Sequence, residues 1–422
     1  MARKSVPVAS TDIIVLGGGI VGVAIATYLA EAGRKVLVLD RSGICEETSS
    51  GNAAAFAFAD ILPLAQKSML KQVPRWLLDP LGPLAIPPAY FPKLLPWLIR
   101  FLMAGRPAQF EAAVSAQAQL MKLAEVEWQS LLLRSGLTHM LREDGALELY
   151  ETEQEFKAAE KIGEIRRRFQ VPLRHLTREQ IEELQPGLSD RFRYGTFLPG
   201  WKTVVDPRLL GQNLWTYAER CGATFIPANI VEVRDTGQGV VAQANDGRYF
   251  QAGKLVVAAG AWSHRFTKMF GDPVPLETER GYNTTLPKDA FDIRRQLIFP
   301  AHGFVITPLE TGVRVGGAVE LGGLKRPPNY ARSRAMLAKA ADFLPGLKTE
   351  GGRQWMGYRP SLPDSLPVID RALRSPNVFY AFGHGHLGLT QAAATGRLVR
   401  ELVLEQQQSL DTYPYRASRF RR

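Results

Sequence analysis

The strongest constraint on this chain lies in residues 11–40, TDIIVLGGGIVGVAIATYLAEAGRKVLVLD. Residues 12–16 form a short, β-branched apolar run that reads as a buried strand, and Gly17, Gly19 and Gly22 follow at once in G-x-G-x-x-G spacing. Residues 20–32 carry apolar side chains at helical intervals, Gly33 ends that helix, and residues 36–39 form a second buried strand closed by Asp40. Gly17 permits a tight strand-to-helix turn, Gly19 lets backbone approach a pyrophosphate, and Gly22 lets helix and strand pack closely. The free N–H groups and dipole at the helix start, around Ile20 and Val21, favour a diphosphate. Asp40, 18 residues beyond Gly22 and followed by Arg41, is placed to accept hydrogen bonds from the ribose hydroxyls of an adenosine. An acid there favours an unphosphorylated ribose, so FAD or NAD over NADP.

A chain of 422 residues holds two or three domain-sized units, and 45% apolar with 22% charged residues is ordinary for a globular protein. The net charge of +11 draws on basic runs at 166–168 and 416–422 that lack aromatic interleaving. They read as solvated surface, which argues against a nucleic-acid partner and leaves an acidic membrane surface or anionic substrates open. Two cysteines, Cys45 and Cys221, make neither a disulfide framework nor a metal site, so no metal is expected. Their small number suits a reducing compartment. Residues 1–10 lack the apolar core of a signal peptide. Both features point to the cytoplasm.

Further along, the small-residue loop 41–59 contains Ser49, Ser50, Asn52 and Ala53, where backbone can lie close to a flat ligand; a tight surface turn is the alternative. Residues 70–104 are rich in Pro, Leu and Trp. Within them 94–104 (LLPWLIRFLMA) reads as a buried helix or a membrane-surface anchor, too short to span a bilayer. Helices are expected over 109–135, 153–169, 176–184 with Thr177 as N-cap, 207–220, 332–343 and 387–404. Residues 145–150, 194–199, 224–226, 230–233, 254–260 and 378–382 read as strands. The segments GYNTTL, HGFVITPL and GVRVGGAVE alternate apolar and polar residues, which implies an antiparallel sheet, whereas 355–370 is proline-rich and reads as irregular.

Several of these motifs stand together in one order: VLGGGIVGVAIATYLAEAGRKVLVLDR, ETSSGNAA, VVAAGAW, RGYNTTL, GYRPSLPDSLPVID and NVFYAFGHGHLGLT. Over residues 12 to about 404 the chain resembles the D-amino-acid oxidase family of flavoproteins, most closely its bacterial D-amino-acid dehydrogenases. The resemblance implies an α/β fold: a Rossmann-like FAD-binding domain (1–85, 200–270 and 352–422) with an inserted α+β substrate domain (86–199 and 271–351) on a mostly antiparallel sheet. It implies non-covalent FAD, because no cysteine follows Cys221 for the covalent attachment found in sarcosine oxidase relatives.

Carried over residue by residue, the resemblance gives the ADP half of FAD to Gly17, Gly19, Gly22 and Asp40, and sets Ser49, Ser50, Asn52 and Ala53 against pyrophosphate and flavin. Ile230, Val231, Ala259 and Gly260 would line the dinucleotide groove. Gly383, His384, Gly385, His386, Leu387, Gly388, Leu389 and Thr390 match or adjoin the closing turn. Arg359 matches the arginine that grips the substrate carboxylate, since a guanidinium fork fixes a planar carboxylate in both charge and orientation. A structural salt bridge is its bland alternative. Tyr282 matches a pocket tyrosine, with core packing as the alternative, and His302 and Arg280 are further pocket residues. His384 is either a turn histidine bonded to backbone or one that takes part in the chemistry. His386 stands where a small hydroxyl residue is common in the relatives, and Arg280 where lysine is common.

The implied activity is oxidative deamination of D-amino acids. Hydride would leave Cα for flavin N5, the imine would hydrolyse to a 2-oxo acid, and electrons would pass to a quinone or other respiratory acceptor. The stretch GGAVELGGLKRPPN also resembles a subgroup handling cyclic imino acids such as cis-4-hydroxy-D-proline. An oxygen-using oxidase of N-methyl or cyclic amino acids (sarcosine, D-proline) and a non-catalytic flavoprotein are the alternatives. Location on the inner face of the cytoplasmic membrane is expected if 94–104 is an anchor.

Overall fold

The structure, a computed structural model, describes residues 9–66 and 82–421. The leader reading of residues 1–8, the beginning of the Pro/Leu/Trp-rich stretch up to residue 81 and the final residue of the basic tail lie outside them.

The fingerprint strand (Ala9–Leu16), its helix (Ile20–Glu31) and the next strand (Val36–Asp40) form as the periodicity requires. The first strand lies between Val36–Asp40 and Tyr249–Val257, parallel to both, with Thr224–Pro227 beyond Val36–Asp40. Tyr249–Val257 is long enough to serve two partners. Its first half pairs antiparallel with Val240–Ala244, which carries Ile230–Asp235, and its second half pairs parallel with Val378–Phe382. Apolar clusters cover both faces of this sheet, as near-continuous hydrophobic strands demand. The parallel strands end together at Leu16, Leu39 and Val257. Loops and ligands gather at such an edge in open α/β sheets.

A second sheet runs in the order Arg353–Ser361, Glu277–Leu286, Gly312–Glu320, Phe304–Leu309, Gln296–Phe299, Ala146–Tyr150, Tyr194–Leu198 and Arg174–Leu176. All but one of these neighbouring pairs are antiparallel; Gln296–Phe299 runs parallel to Ala146–Tyr150. The helix Ala331–Phe343 and an aromatic group of Phe192, Phe299, Phe304 and Phe343 fill one side of it. Thr177 caps the helix Arg178–Leu184 through a reciprocal box with Gln180, and Asp206 caps Pro207–Arg220.

Three features depart from the sequence reading. Residues 353–361 are a strand rather than irregular chain, and they belong to the second sheet although they fall in a segment assigned to FAD binding. Pro360 is compatible because this strand is the sheet edge, where a missing N–H costs no ladder bond. The helix Pro107–Ser135, assigned to the substrate domain, packs Leu120, Ala124, Trp128 and Leu131 into the core of the first sheet, with the Trp128 indole donating to the carbonyls of Leu389 and Thr390. The helix Phe91–Ala104 is only half buried: Leu94 and Trp97 face inward while Phe91, Leu95, Ile99, Leu102 and Met103 are 43–52% exposed. Among the described residues no helix is long and apolar enough to cross a membrane.

Gly22 sets how closely the first helix lies on its strand, because a Cβ there would stand 1.9 Å from the Gly17 carbonyl oxygen. Gly22→Ala is expected to cost about 3 kcal/mol in a urea unfolding midpoint of the apoprotein. Gly33→Ala, at φ +75° with no neighbour within 4 Å, should cost only about 1 kcal/mol.

Candidate active site

A cavity of about 410 Å³ opens where the ends of the first sheet meet one face of the second. Its first wall is the fingerprint turn. Gly17 has φ +120°, and a Cβ on it would stand 2.3 Å from the Ala258 carbonyl oxygen. Gly19 opens the helix without a capping side chain, and the Ile20 N–H instead donates to Ser49 Oγ at 3.0 Å. Both Asp40 carboxylate oxygens are held by backbone, Oδ2 by the Gly18 N–H at 2.8 Å and Oδ1 by the Ser42 N–H at 2.7 Å. Arg41 lies 4.0 Å over the Trp262 ring, and Ile230, Ala259 and Gly260 complete this end.

The second wall comes from the antiparallel sheet. Trp355 lies against Gly51 and Gly357, where a Cβ at either would meet its ring within 2.2 Å. Asn283 Nδ2 donates to the Gly51 carbonyl at 2.7 Å, and Asn52 and Ala53 line the cavity beside it. Arg314, almost buried, donates through Nη1 to the Asn52 carbonyl at 2.6 Å and through Nε to Thr285 Oγ1 at 3.0 Å. Burial pulls its pKa down to about 10.

Arg359 borders the cavity on the edge strand, opposite Glu279 in register. Its guanidinium lies over Gly281, where a Cβ would stand 2.4 Å from Cζ, and Nη1 donates to the Ala318 carbonyl at 3.0 Å. No carboxylate among the described residues forms an ion pair with it, and burial lowers its pKa against the opposing pull of Glu279.

The closing turn is tied to that strand by the Gly385 N–H, which donates to the Pro360 carbonyl at 2.8 Å. Gly385, His386, Gly388 and Leu389 line the cavity as the helix Gly388–Val403 begins. His386 Nε2 lies 2.5 Å from Glu279 Oε2. Burial alone would raise the pKa of Glu279, but His386, Arg359 and Ser361 together hold it low. His384, also at the cavity, is bonded to Thr395 Oγ1 at 2.9 Å, and burial drives its pKa down to about 3, so its ring is neutral.

The expected residues therefore divide. Gly17, Gly19, Ile20, Val21, Asp40, Ser49 and Arg359 border one cavity with the residues already named. Gly22, Ser50 and Thr390 support it from behind. Ser50 Oγ donates to the Glu46 and Glu47 carbonyls, and Thr390 bonds the backbone of Ala55 and Ala57. Gly383 bends the turn at φ +87°, Leu387 precedes the closing helix, and Val231 points outward, 41% exposed.

Two pocket readings are corrected. Arg280 is fully buried, paired with Glu320 at 3.2 Å and donating to the carbonyls of Arg326 and Pro327, so it has no face on the cavity. His302 Nε2 is engaged by Glu151 at 2.6 Å, outside the lining. The Tyr282 ring reaches the cavity, but its hydroxyl is spent on Glu320 and on the Asn329 N–H, and burial pushes its pKa up to about 12. Cys45 is packing: its thiol fills the space beside Gly211, and burial raises its pKa to about 12. Sequence reasoning missed Glu279 and Arg314. The only signal was a charge inside otherwise buried strands, Glu277–Leu286 and Gly312–Glu320.

This cavity fits an extended dinucleotide. The Gly19 face is open except for Ser49 Oγ at 3.2 Å, Gly260 has no neighbour within 4 Å, and a helix start without a capping side chain points at the groove between them. The profile of the DAO family, FAD dependent oxidoreductase, matches residues 12–402. The chain belongs to that family. A D-amino-acid oxidase of Bradyrhizobium diazoefficiens is 32% identical over 97% of this chain and 98% of its own length. A D-amino acid dehydrogenase of Neisseria meningitidis is 29% identical over 93% of this chain and 95% of its own. The crystal structure of glycine oxidase from Geobacillus kaustophilus superposes with a TM-score of 0.75 at 22% identity, over 97% of this chain and 99% of that one.

As a member of the DAO family the protein is a FAD-dependent amino acid oxidoreductase. Asp40→Ala removes the carboxylate that the Gly18 and Ser42 N–H groups aim at the groove. It should weaken FAD binding by about tenfold or more, the worth of charge-assisted hydrogen bonds, measured by flavin fluorescence on titrating the apoprotein.

Proposed function

We propose that the protein oxidises D-amino acids, with Arg359 gripping the substrate carboxylate and electrons passing on to a respiratory acceptor such as a quinone. The observation that carries this reading is a partly buried guanidinium on the cavity wall with one donor spent on Ala318 and no ion pair with a carboxylate among the described residues. A partly desolvated guanidinium with no direct ion pair favours an anionic ligand beside it. The planar fork fixes the carboxylate in two bonds and so fixes which face of Cα is presented. FAD, when bound, supplies the two-electron acceptor. Trp355 and Tyr358 give the cavity apolar walls that exclude water beside Arg359. The oxidised substrate leaves as an imine and hydrolyses to a 2-oxo acid, FAD remaining non-covalently held.

Arg359→Ala should raise KM by about 100-fold or more, since charged hydrogen-bonded partners contribute about 3 kcal/mol, while the flavin spectrum is retained. Arg359→Lys should recover only part of the loss. Anaerobic bleaching of the flavin by D-alanine, D-proline, cis-4-hydroxy-D-proline and sarcosine ranks the substrates. Dye or quinone reduction without peroxide release separates a dehydrogenase from an oxidase. Unchanged KM in Arg359→Ala would remove the assignment.

We also infer attachment to the inner face of the cytoplasmic membrane through the helix Phe91–Ala104. Five apolar side chains at 91, 95, 99, 102 and 103 share one helix face, beside exposed Lys93 and Arg106, on a chain of net charge +11. An apolar stripe flanked by cations suits an anionic lipid surface. The holoenzyme should float with anionic vesicles and less with neutral ones, and Leu95→Glu with Leu102→Glu should abolish flotation at unchanged flavin content. Equal recovery of wild type and variant in the soluble fraction would refute the attachment.

A further inference from the structure

His386 and Glu279 have no part in the reading above, yet His386 shares the cavity wall with Arg359 and Glu279 stands behind both. Glu279 is 4% exposed, and it faces two groups at the cavity, Arg359 in register on the neighbouring strand and His386 on the closing turn. The turn cannot drift from that strand, because the Gly385 N–H is bonded to Pro360 and His384 bridges Ser361. Since the Glu279 carboxylate only accepts, the His386 nitrogen against it, Nε2, must carry the hydrogen. In the neutral ring Nδ1 then holds the lone pair and has no protein partner among the described residues, and the His386 side chain, 34% exposed, borders the cavity.

We propose that His386, oriented by Glu279, is the base that takes a proton from the substrate ammonium before oxidation. The proposal rests on the amino-acid reading. An amino acid arrives as a zwitterion, and only the neutral amine has a lone pair to drive loss of the Cα hydrogen as a hydride. In the step, one ammonium N–H bond breaks, its electron pair stays on the substrate nitrogen, and the proton forms an N–H bond at His386 Nδ1. The imidazolium so formed lies against the Glu279 carboxylate, which stabilises it, and the proton later returns to solvent. The charged groups that face His386 are Glu279 on the strand Glu277–Leu286 and Asp60 on the loop that follows Phe56. Behind them stand Arg359 beside Glu279, and Arg166 with its partner Glu148 beside Asp60. Glu279, the nearer of the two, touches the ring directly through Nε2. Glu279 is a positioning residue, acting through the ring.

The test compares wild-type holoenzyme with His386→Gln and His386→Ala in anaerobic stopped-flow reduction by the best substrate from pH 5 to 10. Wild type should reach its plateau at a lower pH than either variant. His386→Gln should fall about 100-fold at pH 7, the scale of general-base catalysis, and climb toward wild type as the free ammonium itself deprotonates near pH 9–10. Added imidazole should restore His386→Ala at pH 7. Flavin absorbance and binding of a non-reactive carboxylate, read by its perturbation of the flavin spectrum, show that the variants keep an intact site. Nitrogen NMR of labelled histidine supplies a readout apart from turnover. Wild type should carry hydrogen on Nε2 and not on Nδ1, and Glu279→Gln should lose that preference. Parallel pH profiles in wild type and His386→Gln, with no imidazole rescue, would overturn the proposal while leaving the amino-acid reading intact. A wild-type flavin that no amino or imino acid bleaches would remove both.

Discussion

The cavity depends on one backbone approach, between the first helix and the end of its strand. At Gly22 the helix comes so close to Gly17 that a single methyl group would occupy the carbonyl's position, and at Gly17 the chain turns under Ala258 with the same intolerance. These contacts decide where the helix begins. Its first N–H groups open at the line where the parallel strands stop, and the positive end of the helix dipole points into the groove instead of over the sheet. Moving the helix outward by the width of a methyl group would also move Ile20 away from Ser49 and Gly18 away from Asp40. The adenosine end of the site is thus an outcome of packing in a region that has almost no side chains.

The other wall is organised by charge. Arg280, Glu320 and Tyr282 satisfy one another inside the second sheet, and Arg326 stands within 3.8 Å of the same carboxylate. Both guanidinium groups share the one carboxylate of Glu320, which ties neighbouring strands together. Arg359 and Arg314 are different, because the atoms that accept their hydrogen bonds are neutral oxygens. Carbonyl groups repay only part of the desolvation of a guanidinium, and an ion in a protein interior still loses several kcal/mol of hydration. Arg314 recovers part of that by bracing the loop at Asn52. Arg359 reaches the cavity with donors still to be used.

The parts of this arrangement that were legible in the sequence are those in which local pattern and function coincide. Gly17, Gly19, Gly22 and Asp40 sit at spacings that only one strand–turn–helix unit explains, and the apolar runs on either side identify that unit. Arg359 was legible through motif resemblance, not through periodicity, because the prolines around it hide an edge strand. Arg280 and His302 illustrate the reverse problem. An ionisable residue in an alternating strand, or in the turn before one, can face a ligand or an internal counter-ion, and the choice rests with Glu320 and Glu151, which are 40 and 151 residues away in sequence. The helix Pro107–Ser135 followed its own periodicity, yet its partner, the closing helix, lies more than 250 residues later. No local signal announces such a contact.

Glu279 gives the site its polarity as well as its shape. Arg359 alone would make a pocket for any organic anion, with no preference for one that carries nitrogen. With a buried carboxylate behind it and a histidine on that carboxylate, the wall presents a guanidinium beside an imidazole backed by negative charge. On the proposed assignment a zwitterion suits such a wall, its carboxylate toward Arg359 and its ammonium toward His386. A simple carboxylic acid would satisfy Arg359 and leave Glu279 with only its protein partners. A hydroxy acid would offer a neutral donor where a cation fits better. On that assignment, selection for amino acids over other organic acids would follow from Arg359 and Glu279 held at a fixed separation by neighbouring strands, and a sheet edge holds such a separation better than a loop does.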